Sequence, residues 1–316
     1  MKLLITGGAG FIGSNLVEKL IEKTENEIII IDNLSGGRKE FIEPFLDKIK
    51  FHKVDLLNNA DKYFSGVEEV WHLAANPNVK DSSPETFFKD LKITKNVLES
   101  CKRNKVKRIL FTSSSTVYGE SKINTPENCE TKPISFYGAT KLACESLIST
   151  YCSLYKIQGF IFRLANIIGK NSTHGVIYDF VQKLLKNEEE LEILGDGTQT
   201  KSYLSVEDCI NGMLIARDKS ENLINIFNLG NKDWINVKEI AEIVVEEMLV
   251  GGLIKERPKF KFTGGVEGGR GWKGDVKEML LDISKLEKLG FRPKYNSKES
   301  VRKSVKETIH NKIITV

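Results

Sequence analysis

Cysteine and histidine are scarce in this sequence, and neither is arranged as a set of ligands. The five cysteines include no C-x-x-C pair, a pattern that indicates free thiols in a reduced, cytoplasmic chain and argues against a disulfide framework. The four histidines show no metal-ligand spacing. A structural or solvent-exposed role is therefore expected for each, and no metal site is predicted.

Long apolar runs and a strong excess of one charge are also missing. No run approaches the roughly 18 apolar residues of a membrane-spanning helix, and the chain opens on a strand pattern instead of a signal peptide. The formal net charge is +4 over 316 residues. The densest basic run, residues 102–108, falls where a helix is expected to end, and cations there stabilise the helix dipole. We therefore expect neither a membrane nor nucleic acid as a partner.

A strand, a glycine-rich turn and a helix are predicted at the start of the chain. The apolar run 2–6 is too short for a helix and leads into Gly8-x-Gly10-x-x-Gly13, the dinucleotide fingerprint, which overlaps Gly7-x-x-Gly10-x-x-Gly13. Such a turn lets the backbone approach a pyrophosphate at the N-terminus of the helix that follows. The residues predicted to contact the cofactor here are Gly7, Gly10, Phe11, Ile12 and Gly13.

The second predicted strand identifies the cofactor. Residues 27–31 are almost all isoleucine, as expected for a strand buried on both faces, and they lead directly to Asp32 and Asn33. A carboxylate about 20 residues after the last glycine binds the two ribose hydroxyls of NAD and repels the additional phosphate of NADP. We therefore predict NAD. Arg38, in the same loop, is the residue that favours NADP.

Strand and helix patterns alternate as far as residue 165. Further strands are predicted at 51–56, 67–75, 109–113 and 160–165, and helices at 84–103 and 135–155. This alternation predicts an α/β fold with a doubly wound parallel sheet of the Rossmann type. At the ends of two of these strands, the predicted cofactor contacts are Asp55, Leu56, Leu73, Ala74 and Ala75.

The pattern changes after residue 165. A helix is expected at 176–186, short strands at 191–194 and 224–229, a helix at 237–248, and a loop in the glycine-rich stretch 264–271. We therefore predict a cofactor domain, residues 1–165, that carries the catalytic residues. Residues 166–316 are predicted to form mainly a smaller α+β substrate-binding lobe, with a boundary that need not be continuous in sequence.

Two stretches carry the predicted chemistry. Residues 111–119 are rich in serine and threonine and lie at the carboxyl end of a strand, where open α/β sheets bind ligands. Tyr137 and Lys141 are four residues apart at the start of a helix, so they share one face. An ammonium beside a phenol favours the phenolate, which can act as a general base. Together with the dinucleotide fingerprint, this arrangement predicts a catalytic pair.

These motifs resemble those of the extended short-chain dehydrogenase/reductase proteins that act on nucleotide sugars, and among them most closely the 4-epimerases. The resemblance covers essentially the whole chain. The segments that carry it are residues 7–13, 32–35, 72–75, 113–119, Tyr137 with Lys141, and residues 163–166, 195–197 and 282–286.

The resemblance implies an activity and a set of roles. It implies a 4-epimerase of the UDP-glucose/UDP-galactose type, with tightly bound NAD and a 4-keto sugar intermediate. In such an enzyme Tyr137 is the base, Lys141 holds the nicotinamide ribose and Ser114 bonds the reacting sugar oxygen. It also implies a homodimer in which helices 84–103 and 135–155 pair into a four-helix bundle. The substrate contacts that it implies are Ser114, Ser115, Tyr137, Asn166, Lys201 and Arg270.

The chain departs from the family pattern at several positions. Asp90 stands where relatives usually have an asparagine near the cofactor, and Lys201-Ser202 replaces an Arg-Asp pair. Arg270 lies two positions before the site of the usual arginine, which is Trp272 here. Met279 occupies the position that limits the substituent on C2 of the sugar, and a flexible thioether closes that wall less firmly than a tyrosine ring. We therefore expect N-acetylated sugars to be accepted.

Three alternatives to the 4-epimerase are open at this point. A nucleotide-sugar 4,6-dehydratase needs an acid and a base after a threonine, but this chain has Ser114-Ser115-Thr116, and neither Ser115 nor Thr116 titrates near neutral pH. A glucuronate-type decarboxylase generally has a glutamate at the position of Thr116. A non-catalytic NAD-binding protein with this fold is the third, since fold does not fix function.

Overall fold

The computed structural model describes residues 1–23, 26–80 and 83–313. The first half of the chain alternates strands and helices, and the second half mixes short strands with helices. In chain order the elements are β1 (Lys2–Thr6), α1 (Phe11–Lys23), β2 (Glu27–Asp32), β3 (Ile49–Lys53), β4 (Glu69–His72), α2 (Pro84–Arg103), β5 (Arg108–Ser114), α3 (Phe136–Tyr155), β6 (Gln158–Leu164), β7 (Asn166–Ile168), α4 (Val176–Lys186), β8 (Glu190–Ile193), β9 (Thr200–Lys201), β10 (Tyr203–Ser205), α5 (Val206–Lys219), β11 (Ile224–Leu229), β12 (Ile235–Asn236), α6 (Val237–Val250), β13 (Lys259–Phe262), β14 (Glu278–Met279), α7 (Ser284–Glu287) and α8 (Ser297–Ile313).

Within the described residues, seven strands form one sheet in the order β3-β2-β1-β4-β5-β6-β11. Every neighbouring pair in this sheet is parallel. The strand order reverses between β1 and β4, and a ligand crevice forms outside the carboxyl ends of the strands at such a switch point. The predicted doubly wound α/β sheet is thus confirmed.

The sheet is covered on both faces, because successive side chains of a strand point in opposite directions. Leu3 and Ile5 of β1 belong to the core under α1 and α5, which includes Leu16 and Met213. Leu4 belongs to the core on the other face, with side chains of α2 and α3. Burial on both faces explains why these strands read as continuous apolar runs.

A third core lies outside the large sheet. It packs apolar side chains of α4, α6 and α8 together with β8 and β10. Three small sheets accompany it, made by β10 with β7, by β12, β9 and β14, and by β13 with β8. This lobe begins at the carboxyl end of β6, because β7 follows β6 directly in the chain.

Several element boundaries differ from the sequence-based expectation. The third strand is Ile49–Lys53, so Asp55 and Leu56 lie in the turn after it, and the fourth strand ends at His72, three residues before Ala75. Residues 224–229 form β11, which pairs with β6 at the edge of the large sheet, so part of the chain after residue 165 belongs to that sheet. The helix α5 leads the chain back to the large sheet. Its apolar residues follow no clear helical period, so the sequence did not indicate this connection.

Helices long and apolar enough to cross a membrane are absent from the described part of the chain.

Candidate active site

The glycine-rich turn joins β1 to α1 with almost no room for side chains. Gly7 has a φ of 70°, and a Cβ there would lie 2.8 Å from the backbone nitrogen of Ala74. A Cβ on Gly13 would lie 2.2 Å from the carbonyl oxygen of Gly7. A Cβ on Gly10 would approach only that same oxygen, at 3.2 Å. Gly7 and Gly13 therefore close the turn, while Gly10 leaves its outer side open to a ligand, as a pyrophosphate site requires.

Asp32, at the end of β2, faces this turn. Its carboxylate accepts hydrogen bonds from the backbone N–H of Ala9 at 3.0 Å and of Leu34 at 2.8 Å. Burial raises the pKa of the Asp32 carboxyl, and these two N–H groups offset part of that rise. A Cβ on Gly37 would lie 2.8 Å from the carboxylate, so the loop passes close over it. Asn33 and Arg38 are exposed in that loop.

We predict that wild-type protein binds NAD more tightly than NADP and that Asp32→Asn narrows this preference. The amide keeps the shape of the side chain but removes the charge that repels the 2′-phosphate. A hydrogen bond to a charged group contributes about 1.5–3 kcal/mol, so NAD affinity should fall about tenfold or more. Titration of both cofactors against the apo forms of both proteins measures this. Tighter NADP binding by the wild type would refute the role given to Asp32.

A hydrogen-bonded chain joins the turn to the neighbouring strand and helix. The ring of His72, fully buried at the end of β4, bonds the hydroxyl of Thr6 at 2.8 Å and the hydroxyl of Thr94 at 3.1 Å. Burial, with a smaller contribution from Lys141, lowers the pKa of His72 to about 3, so the ring is neutral. The Thr6 hydroxyl also accepts from the N–H of Ala74 at 3.3 Å. The segment Leu73-Ala74-Ala75 is thereby held against the glycine turn.

The predicted catalytic pair lies in the first turns of α3. Ser135 caps this helix by accepting from the N–H of Gly138 at 3.1 Å. Lys141 is 6% exposed, and its ammonium donates to the carbonyl of Thr112 on β5 at 2.8 Å. The same ammonium lies 5.8 Å from the centre of the Tyr137 ring. The lysine is thus held between β5 and the ring of Tyr137.

Ser114 is the last residue of β5, two residues after the Thr112 carbonyl that Lys141 binds. Its hydroxyl oxygen accepts from the N–H of Thr116 at 3.2 Å and from the hydroxyl of Thr116 at 2.9 Å. A serine oxygen has two lone pairs and one proton. Because Thr116 occupies both acceptor positions, the proton of Ser114 is left to donate to a ligand. Ser115 begins the 3-10 turn that follows and is buried.

Asp90 faces Tyr137 across a small cavity. Its carboxylate oxygens accept from the N–H of Asn76 at 3.0 and 3.2 Å. An asparagine in this place would also accept that hydrogen bond, so the acid adds a negative charge to the site without losing the contact. The cavity is lined by Asn76, Asn78, Ser83, Thr86, Phe87, Asp90, Phe136, Tyr137 and Thr140.

Three of the implied substrate residues, Asn166, Lys201 and Arg270, are engaged with other groups of the chain. Asn166 donates to the carbonyl of Ser202 at 3.1 Å. Lys201 pairs with the buried Asp275 at 2.6 Å. Arg270 pairs with Glu120 and also donates to the carbonyl of Glu267. A diphosphate would have to compete with carboxylates for both cations, so their roles toward substrate stay predictions.

Three further predicted residues are Asp55, Leu56 and Met279. Asp55 accepts from the N–H of Leu57 at 2.9 Å, and the carbonyl of Leu56 accepts from Asn96 at 2.8 Å. Both therefore lie in an ordered turn beside β2, and their cofactor contacts stay predictions. Met279, on β14, is buried next to β9.

Sequence reasoning missed a buried ion pair behind the site, Glu145 with Arg163. Glu145 follows Lys141 by four residues and therefore lies on the same face of α3. The sequence did contain a signal of this pair, namely a charged residue, Glu145, on the buried face of α3.

Comparison with known proteins agrees with this geometry. Residues 3–230 match the model of the NAD dependent epimerase/dehydratase family. The chain belongs to this family. It is therefore an enzyme of the NAD-dependent nucleotide-sugar epimerase/dehydratase group, as the resemblance implied, and its cofactor is NAD. The open side of the glycine turn and the placement of Asp32 fit that cofactor.

Relatives and solved structures extend over nearly the full chain. A putative UDP-glucose 4-epimerase of Methanocaldococcus jannaschii is 34% identical, with 96% of this chain and 97% of that protein covered. UDP-glucuronic acid decarboxylase 6 of Arabidopsis thaliana is 31% identical over 95% of this chain and 87% of that protein. A crystal structure of a UDP-galactose 4-epimerase is 38% identical, with a TM-score of 0.85 and coverage of 99% and 100%. A UDP-glucuronic acid 4-epimerase from Bacillus cereus, in complex with UDP-glucuronic acid and NAD, is 28% identical, with a TM-score of 0.86 and coverage of 98% and 100%.

Proposed function

We propose that the chain is a nucleotide-sugar 4-epimerase of the UDP-glucose/UDP-galactose type. The observation that carries this proposal is the cleft between β5 and α3, where Ser114 has a proton to donate and Lys141 lies beside Tyr137. Ser115 and Thr116 add hydroxyls but no titratable acid or base. This set suits a reaction in which one hydroxyl is deprotonated and reprotonated.

In the proposed reaction, side chains of the protein transfer one proton and bind one oxygen of the sugar. Tyr137, as the base, takes the proton of the sugar 4-hydroxyl and later returns it. Lys141 lies beside the ring of Tyr137, and Ser114 donates a hydrogen bond to the same sugar oxygen. The glycine turn and Asp32 would hold NAD, which would supply reversible hydride transfer at C4 of the sugar. The gain and loss of the hydride cancel, so the cofactor can stay bound through many turnovers.

The UDP-glucuronate decarboxylase reading is the strongest alternative, because a decarboxylase is 31% identical over most of the chain. In that reading the serine, tyrosine and lysine are retained and the carboxylate is lost from the 4-keto sugar. Thr116, in place of the glutamate that such enzymes generally have, favours the epimerase. The 4,6-dehydratase is disfavoured for the corresponding reason at Ser115 and Thr116.

One assay separates these readings. Purified protein is incubated with UDP-galactose, and separately with UDP-glucuronate, without added cofactor, and the products are identified by mass and NMR. UDP-glucose from UDP-galactose supports the proposal and shows that NAD is retained. A 4-keto-6-deoxy sugar would establish a dehydratase, a UDP-pentose would establish a decarboxylase, and no change of either substrate would favour a non-catalytic NAD-binding protein.

We predict that UDP-N-acetylglucosamine is also a substrate, because Met279 stands at the proposed wall beside C2 of the sugar. A thioether side chain has three rotatable bonds and adapts its shape. Met279→Tyr should lower kcat/KM for the N-acetylated sugar about tenfold more than for UDP-glucose. Competition kinetics with both substrates measure the ratio. Turnover of UDP-glucose without any turnover of UDP-N-acetylglucosamine would contradict the prediction.

We propose a homodimer built on α2 and α3. These helices pack on each other and present apolar side chains to solvent, with Phe88 65% and Leu154 66% exposed. Between them lies a groove lined by Phe88, Leu91, Lys92, Lys95, Ala143, Ser146, Leu147, Thr150 and Tyr151. A second copy of the same two helices would bury this face. Light scattering at micromolar concentration should give twice the 35.6 kDa chain mass, and Phe88→Glu should shift it toward the monomer. A wild-type monomer would rule the dimer out.

We place the protein in the cytoplasm. All five cysteines are free thiols, and four of them are buried. Burial raises the pKa of the Cys152 thiol to about 12, so such a thiol stays protonated and unreactive.

A further inference from the structure

The buried ion pair of Glu145 and Arg163 joins α3 to β6 behind the catalytic cleft. The two residues are 4% and 5% exposed. The guanidinium donates to Glu145 Oε2 from Nη2 at 2.7 Å, and Nε lies 3.1 and 3.2 Å from the two carboxylate oxygens. Burial acts to lower the pKa of Arg163, but the hydrogen bonds and charge of Glu145 raise it by more, so the guanidinium stays charged. Such a pair is weak evidence of added stability, because removing two charges from water is costly.

The pair holds both ends of the serine-rich segment. The hydroxyl of Ser113 donates to Glu145 Oε1 at 2.5 Å. Arg163 Nη1 donates to the hydroxyl of Tyr118 at 2.9 Å, and that hydroxyl donates to Asn228 on β11 at 2.7 Å. Ser113 and Tyr118 are the residues on either side of residues 114–117. Both ends of the segment that contains Ser114 are therefore hydrogen-bonded to the same ion pair.

The same pair connects this segment to the proposed base. Glu145 lies eight residues after Tyr137 on one continuous helix, which corresponds to about 12 Å along the axis. A helix of this length is a stiff connection. Ser114 is thus connected to Tyr137 through Ser113, the Glu145 carboxylate and the backbone of α3, in addition to the hydrogen bond from Lys141 to the carbonyl of Thr112.

We propose that Glu145 and Arg163 are positioning residues that fix Ser114 relative to Tyr137, so that both groups reach the same sugar oxygen. This inference rests on the proposed function, in which those two groups share one oxygen. A displacement of about 1 Å in such an arrangement can cost about 100-fold in rate. Neither residue touches the substrate, so the loss is expected in kcat and not in KM.

The test uses three variants that weaken different parts of this connection. Glu145→Gln keeps the shape but removes the charge, and Ser113→Ala removes one hydrogen bond at the start of the segment. Tyr118→Phe removes two at its end, the one from Arg163 and the one to Asn228. We expect kcat to fall about 100-fold in Glu145→Gln and about tenfold in each of the other two. KM for the UDP-hexose and the amount of bound NAD should stay within about twofold of wild type.

Glu69→Gln is the matched control. Glu69 is fully buried at the start of β4 and pairs with Arg108 at 2.9 Å, at the opposite end of the strands from the cleft. It should lose thermal stability, as Glu145→Gln does, while kcat stays within about twofold of wild type. An equal loss of kcat in both glutamine variants would mean that any buried ion pair has this effect, and would overturn the inference.

Two other results would also overturn it: kcat within twofold of wild type in Ser113→Ala and Tyr118→Phe, or a rise in KM in proportion to the loss of kcat. If Glu145→Gln does not fold, the two hydroxyl variants decide the question, because they leave the ion pair intact. Failure of the proposed function is distinguished by the wild type itself, which would then turn over no UDP-hexose. Failure of this inference appears instead in the variants, while the wild type still turns over UDP-hexose.

Discussion

Tyr137→Phe should abolish measurable turnover while leaving the fold and bound NAD nearly intact. The phenylalanine ring can occupy the same place in the cavity beside Asp90, so the packing of α3 is retained. The variant lacks the one hydroxyl proposed to take the proton of the sugar 4-hydroxyl. General base catalysis of this kind contributes about 10²–10⁴-fold, and the rate should fall by that factor. Turnover of UDP-galactose, thermal unfolding and the NAD content of the purified protein are the measurements.

Two further variants serve as a control and a comparison for Tyr137→Phe. Tyr155→Phe, at the last and partly exposed residue of the same helix, makes the same chemical change outside the cleft and should keep full activity. Ser114→Ala should cost less than Tyr137→Phe, because a water molecule can replace part of a neutral hydrogen bond. If Tyr137→Phe keeps more than a tenth of wild-type kcat, another group is the base and the proposed mechanism fails.

Local patterns allowed the cofactor half of the fold to be predicted. The glycine turn, the isoleucine strand and Asp32 lie close together in sequence, and each requires a particular residue type for a steric or electrostatic reason. Tyr137 and Lys141 are likewise one helical turn apart. Such short-range features depend little on the rest of the chain, and the structure has strands and helices where these patterns predicted them.

Long-range pairing could not be predicted in the same way. The pattern of β11 indicates a strand, but nothing in its residues states that it pairs with β6 and not with a strand of the smaller lobe. The helix α8 is rich in lysine, serine and glutamate and was not predicted, because its few apolar residues, such as Val301 and Val305, become informative only once α6 packs against them.

The site shows the same division between local and distant features. Ser114, Tyr137 and Lys141 were recognisable, since each belongs to a short motif. The connection of Ser113 to Glu145 and of Arg163 to Tyr118 spans 32 and 45 residues of sequence. A hydrogen bond between residues so far apart leaves no periodic trace in either segment. The positioning network therefore became visible only in the folded chain.

Lys141→Met should reduce turnover about 100-fold or more. This loss of rate has a different cause from the effect of the substitution on stability. Methionine has a similar length but no charge, so the proposed base Tyr137 loses the cation that lies 5.8 Å from the centre of its ring. The carbonyl of Thr112 also loses its 2.8 Å hydrogen bond, at a cost of about 1–3 kcal/mol in stability. This loss of stability is partly offset, because the variant no longer has to bury a charged group away from water.

Cofactor content distinguishes the two roles proposed for this lysine. If Lys141 also holds the nicotinamide ribose, the variant should be purified with less bound NAD than Tyr137→Phe, and saturating NAD should restore binding but not turnover. Lys156→Met, just after the end of α3 and exposed, makes the same substitution away from the cleft and should match wild type in both measurements. Full recovery of kcat with added NAD would show that Lys141 serves only cofactor binding, and the proposed effect on Tyr137 would then be wrong.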